Sequence, residues 1–334
     1  MLIHRVSLGR TGMTVPAVGL GCAGLPGGAE PGADDAVSFA AMRAALDLGI
    51  DFFDTADRYG SGRNEALIGR FVKDVGRHRV LIGTKYGSLP PGPDGVPGVD
   101  NSPAHIAAAC DASLKRLGVD VIDLYYMHRR DPMVPIAESV GAMSRLVEAG
   151  KVRWLGMSEV AAKSLREAYA VHPIAAIQSE YSLWHRDVEK EVLPACRDLA
   201  VTFVPFSPLG RAFLTGSLTT TSFAPTDLRS TLPRFQAEAM AHNMKLVEKL
   251  SAFAAARDVT PAKVALAWLL AQSTPSCAVV PIPGSRQRRN ILENRRAADL
   301  SLSPGEIAEI DAIFAPDAIM GARYSEIEAA RAGL

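Results

Sequence analysis

Residues 121–157, VIDLYYMHRRDPMVPIAESVGAMSRLVEAGKVRWLGM, hold one full period of the pattern that organises this chain. Val121 to Met127 is a near-continuous apolar run, as expected of a strand covered on both faces. Ile136 to Ala149 reads as a helix, and Val152 to Met157 as a second apolar strand. A strand, a helix and another strand in that order imply parallel pairing through a helical crossover.

The same alternation runs outward in both directions. Toward the start lie Ala17 to Leu20 as strand and Ala36 to Leu48 as helix, with Val37, Ala40, Ala44 and Leu48 at helical spacing and Gly49 behind them. Ile50 to Phe53 and Val80 to Gly83 follow as strands, Glu65 to Val72 as helix. Ser102 then caps a helix from Pro103 to Leu117 that stops at Gly118. Toward the end come helix Ala161 to Tyr169, strand Ile174 to Ile177, helix Val188 to Leu199 and strand Val201 to Val204. Helices Ala239 to Arg257 and Ala262 to Ala271, strand Ala278 to Val280 and helix Arg286 to Arg296 complete the series.

Eight such repeats favour a closed (β/α)8 TIM barrel over an open doubly wound sheet. No Gly-x-Gly-x-x-Gly fingerprint follows the first strand, which argues against a Rossmann domain. A turn signal at Gly9-Arg10-Thr11-Gly12 within Leu2 to Pro16 predicts an N-terminal β-hairpin, and the tail is expected to form a C-terminal helical extension. The 334 residues fit one barrel domain, 1–334. Two segments exceed ordinary loop length: Ser88 to Asn101, rich in Pro and Gly, and Leu209 to Phe235, rich in Ser, Thr and Pro. The second is expected to act as a clasp over a bound cofactor.

Lys plus Arg and Asp plus Glu both total 36, so no global field is available to hold a polyanion, and nucleic acid is not expected as a partner. The opening residues carry Arg5, Arg10, Gly and Pro where a signal peptide or membrane span would need an apolar run. Cys22, Cys110, Cys196 and Cys277 are scattered, without the close pair of a zinc or redox site, and read as reduced thiols of a cytoplasmic protein. No metal is expected. Monomer and homo-oligomer are equally compatible with the sequence.

In a parallel barrel, chemistry gathers at the carboxyl ends of the strands. Polar residues placed there are Asp54 with Tyr59 just beyond, Lys85, and His128, from three successive strands. A tyrosine titrates near ~10 in water, and an adjacent ammonium favours its phenolate. Lys85 supplies that charge and Asp54 holds Lys85 by a salt link. Tyr59 is then a general acid toward a carbonyl oxygen, with His128 as a second donor that orients it.

Singly, each residue has a plainer reading. Asp54 can cap a loop, Tyr59 be a loop aromatic, Lys85 a solvated charge and His128 a satisfied strand-end histidine. Their joint placement on consecutive strand ends carries the argument. Asn64 and Glu65 read as opening the second helix. Arg129 and Arg130 read as facing solvent or bracing a loop, with a substrate carboxylate as the alternative.

The sequence resembles the aldo-keto reductases. Asp54-Thr55-Ala56-Asp57-Arg58-Tyr59-Gly60, Thr84-Lys85 and Tyr126-Met127-His128 look like the Asp, Tyr, Lys and His tetrad of that family. Gly19-Leu20-Gly21-Cys22, Lys151-Val152-Arg153, Gly156-Met157-Ser158, Pro205 to Gly210 and Ile282-Pro283-Gly284-Ser285-Arg286 fit it in order, from about Leu8 to Asn294. Gly321-Ala322-Arg323-Tyr324 looks like the tail of the bacterial, plant and fungal branch.

The resemblance implies an NADP(H)-dependent oxidoreductase acting on a small carbonyl or alcohol substrate. It implies that Ser158 and Gln178 hold the nicotinamide carboxamide and that Phe206 stacks on the ring where Tyr is commoner. Ser207, Pro208, Leu209 and Gly210 would wrap the pyrophosphate. Ser285 and Arg286, with Arg288 or Arg289 as alternatives to Arg286, would meet the 2′-phosphate, a sensible place for one at a helix start. Glu293 and Asn294 would meet the adenine, with Gly21, Cys22, Asp54, Ile282, Gly284 and Asn290 completing the contacts. Tyr86 and Trp184 are expected to wall the substrate pocket. Glu159 departs from the family's usual Asn. Two other readings are a sugar or pyridoxal-type alcohol dehydrogenase working oxidatively, and a non-catalytic NADP-sensing or scaffold barrel resembling potassium channel β subunits.

Overall fold

Alternation along each strand decides which side chains enter the barrel and which meet the surrounding helices. The computed structural model describes residues 3–25, 33–92, 97–218, 222–224, 227–324 and 329. Two short antiparallel strands, β1 (Arg5–Ser7) and β2 (Thr14–Pro16), form the expected hairpin. Seven parallel strands follow: β3 (Leu20–Gly21), β4 (Phe52–Asp54), β5 (Leu81–Tyr86), β8 (Ile122–Met127), β9 (Val152–Ser158), β10 (Ile174–Glu180) and β11 (Thr202–Phe206), paired in chain order. Between β5 and β8 a small antiparallel pair, β6 (Ser88–Pro91) and β7 (Pro97–Val99), occupies the segment expected as a loop.

The eighth position is filled by residues 278–282, with ladder bonds to both neighbours. Phe203 N donates to Ala278 O, Val280 N to Phe203 O and Ile282 N to Pro205 O on one side, and Gly19 N donates to Pro281 O on the other. The barrel is therefore closed, and the architecture is (β/α)8. Closure brings backbones into contact: a Cβ on Gly21 would lie 2.5 Å from Ile282 O, and one on Gly284 2.8 Å from Gly21 O. Neither position has room for a side chain.

Helices α1 (Ala33–Asp47), α2 (Arg63–Val75), α3 (Pro103–Leu117), α4 (Ile136–Glu148), α5 (Ala162–Val171), α6 (Val192–Leu199), α7 (Ala237–Ala255), α8 (Pro261–Leu270) and α9 (Arg288–Arg296) surround the strands. α3 shows how local chemistry sets their ends. Ser102 accepts from His105 N, Pro103 takes the first position, and Gly118 closes the helix in a left-handed conformation at φ 63°. α10 (Pro304–Ile313) forms the C-terminal extension, opened by a reciprocal Ser303–Glu306 capping box.

Phe52, Leu124, Tyr126, Ala176, Val204, Val280 and Ile282 form the inner core, separate from the larger layer between strands and helices. The hairpin plugs its lower end with Leu8 and Val15, and Thr202 Oγ1 fixes it by accepting from Gly9 N at 2.7 Å. Because strand side chains alternate with period two, the next inward residue above each inner-core position is set. Above Phe52 comes Asp54, above Gly83 Lys85, above Tyr126 His128, above Gly156 Ser158, above Ala176 Gln178 and above Val204 Phe206. The uppermost interior layer is thus polar while the layers below it are apolar.

Candidate active site

The polar layer forms the floor of a cleft of about 1560 Å3 at the carboxyl ends of the strands. Pockets for drug-sized ligands occupy roughly 300–1,000 Å3, so this one has room for a dinucleotide together with a small molecule. Asp54, Tyr59, His128, Ser158, Gln178 and Phe206 line one end. Ser285, Asn290, Glu293 and Asn294 line the other, with Ser207, Pro208 and Leu209 along one wall.

At the first end the four residues proposed for chemistry come together. Lys85 is fully buried; its Nζ donates to Asp54 Oδ1 at 2.5 Å and to Thr55 O at 2.6 Å, and lies 3.5 Å from Tyr59 Oη. Burial disfavours the ammonium, but the Asp54 carboxylate and the Tyr59 oxygen outweigh it and hold Lys85 above its ordinary value. Burial pushes Asp54 up in turn, against the pull of Lys85 and of Gln178, whose Nε2 donates to Asp54 Oδ2 at 2.8 Å. The result is an ion pair anchored from two strands, with its charged end under the tyrosine.

Tyr59 reaches that point because the chain turns sharply above β4. Thr55 N donates to Gly83 O, Asp57 N to Lys85 O and Tyr59 N to Ala56 O, and the turn continues through Gly60 at φ 59°. The His128 ring stands edge-on to the Tyr59 ring, centroids 6.0 Å apart. Burial, followed by the charges of Lys85, Arg129 and Arg58, holds this imidazole well below its usual value, so it is neutral near pH 7.

A buried polar shell supports the four. Asn64 and Glu65 stand in the first turn of α2, as the sequence indicated, but both are buried. Asn64 accepts from Thr55 Oγ1 and donates to Cys22 O at 2.9 Å; Glu65 accepts from Thr84 Oγ1 at 2.6 Å and pairs with Arg116. They tie the ends of β3, β4 and β5 together. A second cluster lies beside Phe206: Arg323 bridges Glu159 at 2.8 Å and Glu180 at 2.9 Å, and Arg211 reaches Glu180 at 3.2 Å. The Arg323 guanidinium lies 5.8 Å from the Phe206 ring centre and 4.2 Å from that of Tyr324. Sequence reasoning missed Arg211 and the tail arginine; Glu159, the departure from the family pattern, was the available signal.

Several expected contacts are placed elsewhere. Tyr86 is not a wall of the cleft. It follows the inward-pointing Lys85 on one strand, so it must face the helices, where it is fully buried and stacked on Tyr125. Trp184 is likewise buried outside the cleft, its ring packed on Phe213 and Phe235 beneath the start of the 209–235 segment. Cys22 lies behind the floor, donating its backbone N–H to Asp54 O, and Gly210 turns the chain behind the wall. Arg286 is exposed and does not line the cleft, whereas Arg289, in the first turn of α9, does. The helix begins at Arg288, not Arg286, which moves the inward-facing position along the chain.

The far end suits a phosphorylated nucleotide. Ser207, Gly210, Arg211 and Ala212 all take positive φ, between 48° and 76°, the kind of winding that turns successive N–H groups toward an anion. Glu293 and Thr260 share a 2.5 Å hydrogen bond on the opposite wall. Among the described residues, no helix is long and apolar enough to cross a membrane.

At the carboxyl end of a parallel eight-fold barrel, Asp54, Lys85 and His128 of the uppermost layer and Tyr59 just above it gather around one buried ammonium. The family model described as "Aldo/keto reductase family" matches residues 17–315, and the chain belongs to that family. It is 40% identical over 323 residues to a probable aldo-keto reductase 1 of Glycine max, covering 96% of this chain and 92% of that one. Among solved structures it is similar to the glycerol dehydrogenase of Gluconobacter oxydans, with a TM-score of 0.84, 29% identity and coverage of 94% and 97%. An aldo/keto reductase of Klebsiella pneumoniae in complex with NADP and acetate gives a TM-score of 0.73, 27% identity and coverage of 97% and 99%.

Proposed function

We propose that this chain is an NADP-dependent oxidoreductase that reduces the carbonyl group of aldehydes or ketones, with Tyr59 as general acid. The observation that carries the reading is the placement of Lys85 Nζ, held by Asp54 and Thr55 and 3.5 Å from Tyr59 Oη, on the floor of a cleft large enough for cofactor and substrate. When bound, the nicotinamide supplies a hydride to the carbonyl carbon.

The chain's own residues do the rest. A carbonyl oxygen between Tyr59 and His128 accepts from both, and the neutral imidazole orients it without competing for the proton. As negative charge develops on that oxygen, Tyr59 delivers its proton, and the buried Lys85 ammonium stabilises the phenolate that remains. Asp54 keeps the ammonium in place, and Gln178 keeps Asp54 in place. In the reverse direction Tyr59 takes the proton back from an alcohol. Ser158, Gln178 and Phe206 suit the nicotinamide end; the wall from Ser207 to Ala212, with positive φ at Ser207 and at Gly210 to Ala212, suits the pyrophosphate; Ser285 with Arg289 suits a 2′-phosphate. NADP in the Klebsiella relative supports this assignment.

The likeness to a glycerol dehydrogenase favours a second reading, oxidation of an alcohol by the same residues in reverse. We also propose that the whole chain works as one barrel domain, because its tail docks through Arg323 onto Glu159 and Glu180. Four buried, unpaired cysteines support placement in the reducing cytoplasm.

The test is loss of NADPH absorbance with a panel of aldehydes, and NADP+ reduction with polyols, each beside Tyr59→Phe. Turnover that falls at least ~100-fold in the variant, within the range of general acid catalysis, is expected, with NADPH binding retained. Tight NADPH binding with no turnover of any carbonyl or alcohol would support a binding-only barrel instead.

A further inference from the structure

The charges at the reacting end of the cleft do not balance. Lys85 is neutralised by Asp54, and Arg211 and Arg323 are neutralised by Glu159 and Glu180. Two more arginines, Arg58 and Arg129, line the same end beside Tyr59 and His128. Among the described residues neither is ion-paired. Arg58 donates to Ser88 Oγ at 3.1 Å, and Arg129 donates to its neighbour's carbonyl, His128 O, at 3.0 Å and lies 3.5 Å from Ser158 Oγ. Asp57, next to Arg58 in the chain, is pushed up to about 7 by burial and by Glu65, against the pull of the Arg58 backbone N–H, Arg116 and Lys85. Arg130, by contrast, turns away to Ser164 and does not line the cleft.

Both arginines, neither of them ion-paired among the described residues, line the cleft. Arg58 is tethered to Ser88, and the backbone of Arg129 lies 3.9 Å from the point where a Cβ on Gly87 would sit. Both act on the His128 imidazole, which places their charge close to the carbonyl site. Each guanidinium offers five donors in a fixed fork, and the contacts above use only a part of them.

We infer that the carbonyl substrate carries an anionic group, a carboxylate or a phosphate, which Arg58 and Arg129 receive while its carbonyl lies between Tyr59 and His128. The inference rests on the reductase reading for the position of the carbonyl. An anion at the rim would complete the charge balance, and the paired forks would fix the distance between the anionic group and the reacting carbon. Selectivity for such substrates then comes from the two arginines and not from the apolar walls.

The test compares matched substrates in the NADPH reaction: 4-formylbenzoate against its methyl ester for a carboxylate, and glyceraldehyde 3-phosphate against glyceraldehyde for a phosphate. The expected result is a kcat/KM ratio of acid to neutral partner of ten or more in one pair. Arg58→Met and Arg129→Met should each lower that ratio roughly 10-fold or more, the range for a hydrogen bond to a charged group, whereas Arg130→Met should leave it unchanged. The pair that shows the preference assigns the anion.

A second measurement is independent of turnover. Calorimetric binding to the NADP+-loaded protein compares 4-(hydroxymethyl)benzoate with the corresponding amide, and glycerol 3-phosphate with glycerol. Preference for the anion in one pair, lost in Arg58→Met and in Arg129→Met, supports the site even if no carbonyl is turned over, in which case the reductase reading alone fails. Equal binding and equal turnover of charged and neutral partners would overturn the anion site while leaving the reductase reading intact, and so would a preference that both variants retain.

Discussion

Arg323 stands between two fully buried carboxylates, and removing it would leave Glu159 without a counter-charge and Glu180 with Arg211 alone. Burial opposes the charge on Glu180, yet the two arginines hold its carboxyl down at about 2. Breaking a buried pair from one side is far more costly than deleting both partners. Arg323→Met is therefore expected to lower stability by roughly 3–5 kcal/mol in urea unfolding. A loss under about 1 kcal/mol would mean that the cluster is more solvated than its geometry shows. This cluster is also where residue-level legibility ended. Glu159 stood out as a departure from the family pattern, but its partner lies far along the chain, and no local spacing connects the two. Asp54, Lys85 and His128 were legible because each stands at the end of an apolar strand, and Tyr59 because it lies in the loop just beyond Asp54. Tyr86, expected to wall the substrate pocket, follows Lys85 on one strand, and alternation sends such neighbours to opposite faces.

Most strands and helices could be read from periodicity, and their observed ends differ by a few residues. The eighth strand is the instructive exception. Ala278 to Val280 was legible as an apolar run, but it joins the barrel through three ladder bonds on one side and one on the other instead of a regular strand pairing. What makes that closure possible is the absence of side chains where β3 meets residues 282–284. Gly21→Ala would put a Cβ against the backbone oxygen of Ile282, an atom that cannot swing aside. The expected cost is about 1–3 kcal/mol, measured as a lowered thermal midpoint, together with weaker NADPH binding because the cleft shares that edge. An unchanged midpoint would show that the closure yields easily. The two long segments were correctly marked as unusual, yet their form was not readable. Ser88 to Asn101 contains β6 and β7, while Leu209 to Phe235 is built of short 3-10 turns, anchored by Phe213 and Phe235 on Trp184. Parts of both, residues 93–96, 219–221 and 225–226, lie outside the described residues, and with them part of the expected clasp over the cofactor.

At the scale of the molecule, formal charge is zero, but individual titratable groups are far from neutral in effect. His185 is buried and pulled down to about 4 by that burial and by Arg323, and His128 is depressed as well. A histidine depressed in the folded state binds its proton more readily when unfolded, so its contribution is present above the unfolded value of 6.5 and lost as pH falls toward the folded value. Glu180, depressed to about 2, loses its contribution lower, as pH falls from 4.5. Asp57, raised to about 7 by burial, works in the opposite sense. Because these effects overlap, the useful quantity is a difference. The stability of wild type relative to His185→Gln should decline between pH 6.5 and about 4 and level off above it. A difference that stays constant across that window would show that the imidazole is not held neutral.

The three scales meet in the proposed reaction, in which one buried ammonium at the top of a closed barrel would support proton transfer by Tyr59 during carbonyl reduction. Incubating the protein with 4-formylbenzoate and NADPH carrying deuterium at both C4 positions of the nicotinamide, and reading the alcohol product by NMR, follows that reaction. The expected result is deuterium on the carbinol carbon with wild type and no product above background with Tyr59→Phe. Alcohol formed at equal rates by both proteins, or formed without deuterium on that carbon, would contradict it.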